Sequence, residues 1–258
     1  EFSYNQLTSL DTSGLLNLAS LNCLDNQLTN LVVSGLLNLV RLRCGVNQLT
    51  SVDVLGLTNL QTLECSNNQL TSLDVSKLTN LQDLDISHNQ LTNINVSGLT
   101  NLQYFDFSSN QLSSLDVSGL TNLLGLVCYQ NQLTNLDVSG LTNLQTLECA
   151  NNQLTSLDVS ELTNLQILFC PENQLTSLDV SGLANLKYLR CYLNQLTTLF
   201  IKNNNVEWGE LSFDNNPNLS YICADEKDLT LIQNKIIQYG YSTTCQANSY
   251  CSFTPGGV

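Results

Sequence analysis

Three observations predict a repeat solenoid. The tetrad Asn-Gln-Leu-Thr recurs with its asparagine at Asn5, Asn26, Asn47, Asn68, Asn89, Asn110, Asn131, Asn152, Asn173 and Asn194. Ser113 is the one departure from threonine, and every step is 21 residues across nine intervals. Within each period the apolar residues fall in two short groups with strand spacing. Leucine, isoleucine and valine are plentiful while aromatics are only 7% of the 258 residues, as suits a core of stacked aliphatic rows. A fixed period of this size marks a fold in which each unit packs only on its neighbours, so the chain is expected to be one continuous solenoid.

The elements follow in order. The chain opens inside a coil, with Phe2 at the position later coils give to cysteine. Nothing ahead of it would cover an open core, so further sequence upstream is expected. In the coil that ends at Asn68, the first apolar group is Leu60, Leu63 and Cys65, and the alternation of Leu63 and Cys65 predicts a strand. The second group, Leu70, Leu73, Val75 and Leu78, predicts a short extended segment on the opposite face, with Ser76 placed to cap the turn after it.

Two columns are structural. Seven of the ten cysteines, Cys23, Cys44, Cys65, Cys128, Cys149, Cys170 and Cys191, share one repeat position, which Ile86 and Phe107 also fill. A slot that accepts Cys, Ile and Phe is buried and apolar, and no CxxC or Cys/His pair offers zinc-ligand spacing. The asparagine column stands where each strand ends and the chain turns inward. An amide side chain carries both donors and an acceptor, so stacked asparagines can pair the backbone groups of their own coil and the next.

The repeat breaks after Ile201. Asparagines replace the apolar residues from Lys202 to Val206, and a coil beginning at Trp208 ends at Asn216, 22 residues after Asn194. A last strand is expected over Leu219 to Ile222. Residues 225–239 predict an amphipathic helix with Asp225 as N-cap, Leu229, Ile232, Ile236 and Tyr239 on one face, and Gly240 as its left-handed stop. Such a helix would cover the last coil. A disulfide is expected among Cys223, Cys245 and Cys251, with one thiol left over, which implies an oxidising compartment. The expected division is therefore a solenoid over 1–224, a cap over 225–251 and the start of a linker over 252–258.

The frame LxxLxCxxNxL resembles the leucine-rich repeat signature, and the match runs over roughly residues 2–225. It is similar to the 21-residue class of bacterial surface proteins, of the internalin-like and secreted Bacteroidota types. The resemblance implies a curved solenoid with a parallel sheet on its concave side and short extended or 3₁₀ segments on its convex side. It also implies that Thr254-Pro255-Gly256-Gly257 opens a linker to further domains, and that the protein is secreted or displayed on a bacterial surface.

Because neighbouring parallel strands lie about 4.8 Å apart, each repeat position becomes a column, and the concave columns carry the variation between coils. Expected ligand-binding residues there are Arg41, Arg43, Asp83, Asp85, Tyr104, Asp106, Val127, Tyr129, Phe169, Tyr188, Arg190 and Tyr192. Glu64, Asp83, Asp85 and Asp106 form an acidic zone on adjacent coils. Tyrosines, Phe169 and Arg190 form a later aromatic zone of the kind that anchors protein contacts. On the convex side Asp53, Asp74, Asp116, Asp137, Asp158 and Asp179 form a charged column that keeps the solenoid soluble and monomeric.

Function classes narrow accordingly. A net charge of −14 disfavours nucleic acid and anionic membranes, and no apolar run is long enough to span a bilayer. No signal peptide opens the sequence. The only histidine, His88, and the abundant serines form no nucleophile elbow, and carboxylates sharing one sheet do not face each other across a cleft. No catalytic residue, metal ligand or cofactor is expected. The reading is a non-catalytic recognition or adhesion module that binds a protein on its concave face. The alternatives are a structural spacer presenting other domains, and a surface that binds a glycan, calcium through the acidic zone, or ice through the threonine column of Thr8, Thr29, Thr50, Thr71, Thr92, Thr134, Thr155, Thr176 and Thr197.

Overall fold

The structure is a computed structural model that describes residues 1–205 and 207–251; the expected linker over 252–258 lies outside the described residues. Ten three-residue strands form one parallel sheet: β1 (Ser20–Asn22), β2 (Arg41–Arg43), β3 (Thr62–Glu64), β4 (Asp83–Asp85), β5 (Tyr104–Asp106), β6 (Gly125–Val127), β7 (Thr146–Glu148), β8 (Ile167–Phe169), β10 (Tyr188–Arg190) and β12 (Glu210–Ser212). Their register follows the sequence period, so Leu63 stands between Leu42 and Leu84 and the concave columns are real.

The central residue of each of these strands is buried, and so is the cysteine slot just after it; Leu63 and Cys65 are both 0% exposed. All seven repeat cysteines are free, stacked thiols, and burial pushes the Cys149 thiol up to about 12, so they act as small core hydrophobes. The core is one unbroken stack of aliphatic rows from Leu21 to Ile236. Burying one such leucine stabilises by about 1.5–3 kcal/mol.

The asparagine column closes the strand ends. Asn110 Nδ2 donates to the carbonyls of Phe107 (3.1 Å) and Ser108 (3.2 Å) in its own coil and to Ile86 (3.0 Å) in the coil before. Its Oδ1 accepts from the Leu91 N–H at 2.9 Å. The partner coil is therefore the preceding one, not the next as expected. A second asparagine column forms a second ladder, whose bonds the sequence does not reveal. Asn80 Nδ2 donates to Thr58 O at 2.8 Å, and Asn38, Asn59, Asn101, Asn122, Asn143, Asn164 and Asn185 repeat that bond to the coil before.

The convex side carries the expected short extended segments and adds two details. Its segments pair as strands only late in the chain, where β9 (Ser177–Asp179), β11 (Thr198–Phe200), β13 (Tyr221–Cys223) and β14 (Gln246–Asn248) form a four-stranded parallel sheet. Earlier coils cross this side as unpaired chain followed by two i+3 turns, as at Val75–Leu78–Leu81. The late coils bring Thr198 and Phe200, residue types suited to a pleated ladder. Second, the turn is capped by the aspartate column and not by Ser76. Asp74 Oδ1 accepts the Ser76 N–H at 2.9 Å. Asp116, Asp137, Asp158 and Asp179 make the same bond, as does Asn95 where it interrupts the column.

The last strand forms as Tyr221–Cys223, and the disulfide joins Cys223 to Cys251 with Cα atoms 5.0 Å apart, leaving Cys245 as the buried free thiol. The cap helix α1 (Leu229–Gln238) follows a 3₁₀ turn over Glu226–Asp228 and buries Ile232 and Ile236. Gly240 ends it at φ +79°. Asp225 does not cap it. Its carboxylate instead accepts the Asn204 N–H at 2.8 Å, tying the cap to the irregular coil. The asparagines of that coil bind it to its neighbour, since Asn203 and Asn205 donate to Leu183 O and Leu186 O at 3.1 Å each. Among the described residues no helix is long and apolar enough to cross a membrane.

Candidate functional site

In each concave strand the first and third residues flank the buried central one, so two columns line the concave side. Two residues past each strand end the next column turns inward, leaving Tyr129 and Tyr192 half-buried and the residues of several other coils fully buried there. Ser66, Ser87 and Ser108 are 6%, 6% and 0% exposed, and Gly45 and Pro171 are buried with them. The chain has begun its inward turn there, and Asp85 and Asp106 hold the serine hydroxyls that follow them at 2.7 and 2.6 Å.

That turn sets one residue per coil in left-handed backbone. Asp25, Val46, Asn67, His88, Ser109, Gln130, Asn151, Glu172 and Leu193 all have φ between 51° and 55°. Each stands just before a ladder asparagine, and no glycine announced the position. His88 sits in this column, exposed at the rim of the sheet.

The expected site residues divide by exposure. Tyr104 and Tyr188 are 53% and 41% exposed, and Arg41 and Arg43 are exposed as well. Asp83, Asp85, Asp106, Val127, Tyr129, Phe169, Arg190 and Tyr192 are half-buried. Both exposed tyrosines lean over a glycine on the C-terminal side. A β-carbon on Gly125 would stand 3.1 Å from Tyr104 Cδ1, and one on Gly209 would stand 2.8 Å from Tyr188 Cε1. Those two glycines give the rings a place to lie, a role that the repeat columns alone do not reveal.

Arg190 is held from two sides. Its guanidinium gives Glu210 paired bonds of 2.8 and 2.9 Å and stands 4.2 Å from the Phe169 ring centroid. The pairing raises the Arg190 pKa and lowers that of Glu210. Phe169 is thus a covered ring more than a free apolar contact. At the other end Arg43 Nε lies 3.2 Å from Glu64 Oε2.

The acidic zone is tense. Burial first, then the Asp85 carboxylate, push Asp83 up, and burial with Asp85 nearby does the same to Asp106. Glu64 and Glu148 are raised chiefly by burial as well. Among the described residues no three carboxylate, histidine or cysteine side chains converge as a metal site. The hollow between convex coils, about 260 Å³ and lined by Asp137, Ser139, Asp158 and Ser160, is open and belongs to the capped turns.

This geometry defines a leucine-rich repeat solenoid with a patterned concave sheet. Family models described as Leucine Rich repeats (2 copies) match residues 37–78 and 79–122, and one described as Leucine Rich Repeat matches 143–165. The chain is a bacterial-type leucine-rich repeat protein. It is similar to the functional domain of InlJ from Listeria monocytogenes, described as including a cysteine ladder, with 32% identity over 95% of this chain and a TM-score of 0.78. It spans 56% of that Listeria domain. A leucine-rich repeat protein of Leptospira interrogans shares 27% identity over 91% of this chain and 67% of its own, with a TM-score of 0.69. An internalin, InlF, of Listeria monocytogenes shares the fold at 22% identity and a TM-score of 0.60, covering 96% of this chain and 85% of its own. No curated protein sequence matches the chain significantly. Proteins of this fold are typically binding modules without enzymatic activity, commonly engaged in protein–protein recognition.

Proposed function

We propose that this chain is a secreted or surface-displayed recognition module whose concave sheet binds a protein partner. One observation carries the reading. Side chains vary from coil to coil on this face and on its rim column, and on the face they include the exposed Tyr104 and Tyr188, the latter beside a pre-oriented arginine. Tyr104 and Tyr188 stand four strands apart, roughly 19 Å at the strand pitch. Between them run Gly125, Thr146 and Ile167, all less exposed than either tyrosine. Tyrosine and arginine are the residue types that dominate contact energies. Arg190 is already oriented by Phe169 and Glu210, so less ordering is lost when a partner pairs with it.

The test is affinity capture with mass spectrometry from same-cell and host extracts, using the wild type beside a Tyr188→Ala/Tyr192→Ala variant. A protein recovered by the wild type and lost by the variant supports the reading. A partner held equally by both moves the binding surface elsewhere.

A further inference from the structure

The concave face has a charge pattern that its own side chains do not complete. Its flanking arginines Arg43 and Arg190 are engaged, one with Glu64 and the other with Glu210. Strands β4 to β8 lie between those pairs and carry no lysine or arginine. They carry Asp83, Asp85, Asp106 and Glu148. From outside these strands Arg43 acts on Asp83, His88 at the rim on Asp106 and Arg190 on Glu148, none of them within hydrogen-bonded reach of those acids among the described contacts. Arg41 stands on β2, two strands from Asp83, with Thr62 between them.

Apolar surface lies beside these acids, two of which, Asp85 and Asp106, are direct neighbours in register. Tyr104 pairs in register with Asp83, and Val127 separates Asp106 from Glu148 in the next column. A metal ion is a poor occupant, since one oxygen each of Asp85 and Asp106 is already committed to a serine. An ammonium or guanidinium group fits better. It pairs with carboxylates, and the face of an exposed aromatic ring attracts it within about 6 Å.

We propose that the occupant of strands β4–β8 is a protein segment bearing several lysine or arginine side chains interspersed with apolar ones, with Tyr104 against one of the cations. This names the partner chemistry of the face proposed above and rests on that reading.

The probe is a twelve-residue synthetic peptide alternating lysine and leucine, beside a glutamate–leucine peptide and a lysine–serine peptide. Binding is measured by calorimetry at about 150 mM salt, where diffuse attraction is largely screened. One variant carries Asp83→Asn, Asp85→Asn and Asp106→Asn. A control carries Asp116→Asn, Asp137→Asn and Asp158→Asn, which removes the same charge from the convex column. Asn95 already makes the turn bond in that column, so the control retains its fold.

The lysine–leucine peptide is expected to bind best, to weaken about tenfold with the concave variant and less than about twofold with the control. Tyr104→Ala is expected to weaken it about threefold, and Tyr104→Phe to retain it. The tyrosine pair decides the matter should the concave variant fail to fold by circular dichroism. Equal losses in both triple variants, equal binding of the glutamate peptide, or no binding of the lysine–leucine peptide would overturn the proposal. A saturable calcium signal that blocks the peptide would also overturn it. If the peptide fails while a captured natural partner is still lost from the Tyr188→Ala/Tyr192→Ala variant, this inference falls and concave recognition stands.

Discussion

The guanidinium carbon of Arg190 stands 4.2 Å from the centroid of the Phe169 ring. Glu210 grips the same guanidinium from the next strand. Both partners of that ion pair are more than a third exposed at the side chain, so the pair contributes little to folding, on the order of 0–1 kcal/mol. Its role is orientation. Glu210→Gln is expected to leave the melting temperature within about 2–4 °C of wild type while loosening Arg190, seen as averaged guanidinium signals in NMR. A fixed Arg190 in that variant would assign its orientation to Phe169 alone.

The ladder asparagines carry stability. Asn110 makes four bonds to backbone groups that no water reaches, whereas Gln111 is exposed. Asn110→Ala is expected to cost about 1–3 kcal/mol and Gln111→Ala less than about 0.5 kcal/mol. Chemical denaturation of the two variants measures the difference, and similar midpoints would refute the ladder.

Val46 holds φ +51° in the left-handed column, where a β-branched residue is strained by about 1–2 kcal/mol. Asn67 and Asn151 occupy the same position in other coils. Val46→Asn should therefore stabilise the chain by about 1 kcal/mol. A lower melting temperature would mean that the exposed Val46 side chain makes contacts that outweigh its backbone strain.

Stability should also rise on mild acidification. Glu64, Asp83, Asp106 and Glu148 have pKa values raised in the folded state, mainly by burial. Once ionised they oppose folding, and that opposition is relieved as pH falls through their raised values. The convex Asp74, Asp116, Asp137 and Asp158 have lowered values. Their contribution persists through the same window and is lost only below the ordinary aspartate value of 3.8. The melting temperature is expected to be higher at about pH 5 than at pH 7.5, with the gain reduced in Asp83→Asn/Asp106→Asn. A fall over that interval in wild type would contradict the assignment.

Most of the scaffold was legible because it repeats. The Leu-x-Cys alternation marked most of the concave strands, and the asparagine column marked the strand ends. What escaped depends on backbone direction, which a column of letters does not carry. Ser66 and Ser87 look like surface serines but follow the chain inward. Val46 and Leu193 share a left-handed turn with no glycine to mark it. Asp225 looks like a helix cap, yet its carboxylate reaches Asn204 instead. At the candidate site the residues themselves were legible. The engagement of Arg190 by two neighbours was not, since it depends on side-chain direction across three strands. The glycine rests beneath Tyr104 and Tyr188 were hidden for the same reason.

The central claim is that the concave sheet is the recognition surface. Its most direct test is the affinity of a captured partner for Tyr104→Ala/Tyr188→Ala, compared with Thr155→Ala/Thr176→Ala on the threonine column. The tyrosine pair is expected to lose at least about tenfold in affinity, equivalent to about 1.4 kcal/mol, and the threonine pair to lose none. Unchanged affinity in the tyrosine variant with loss in the threonine variant would contradict the claim.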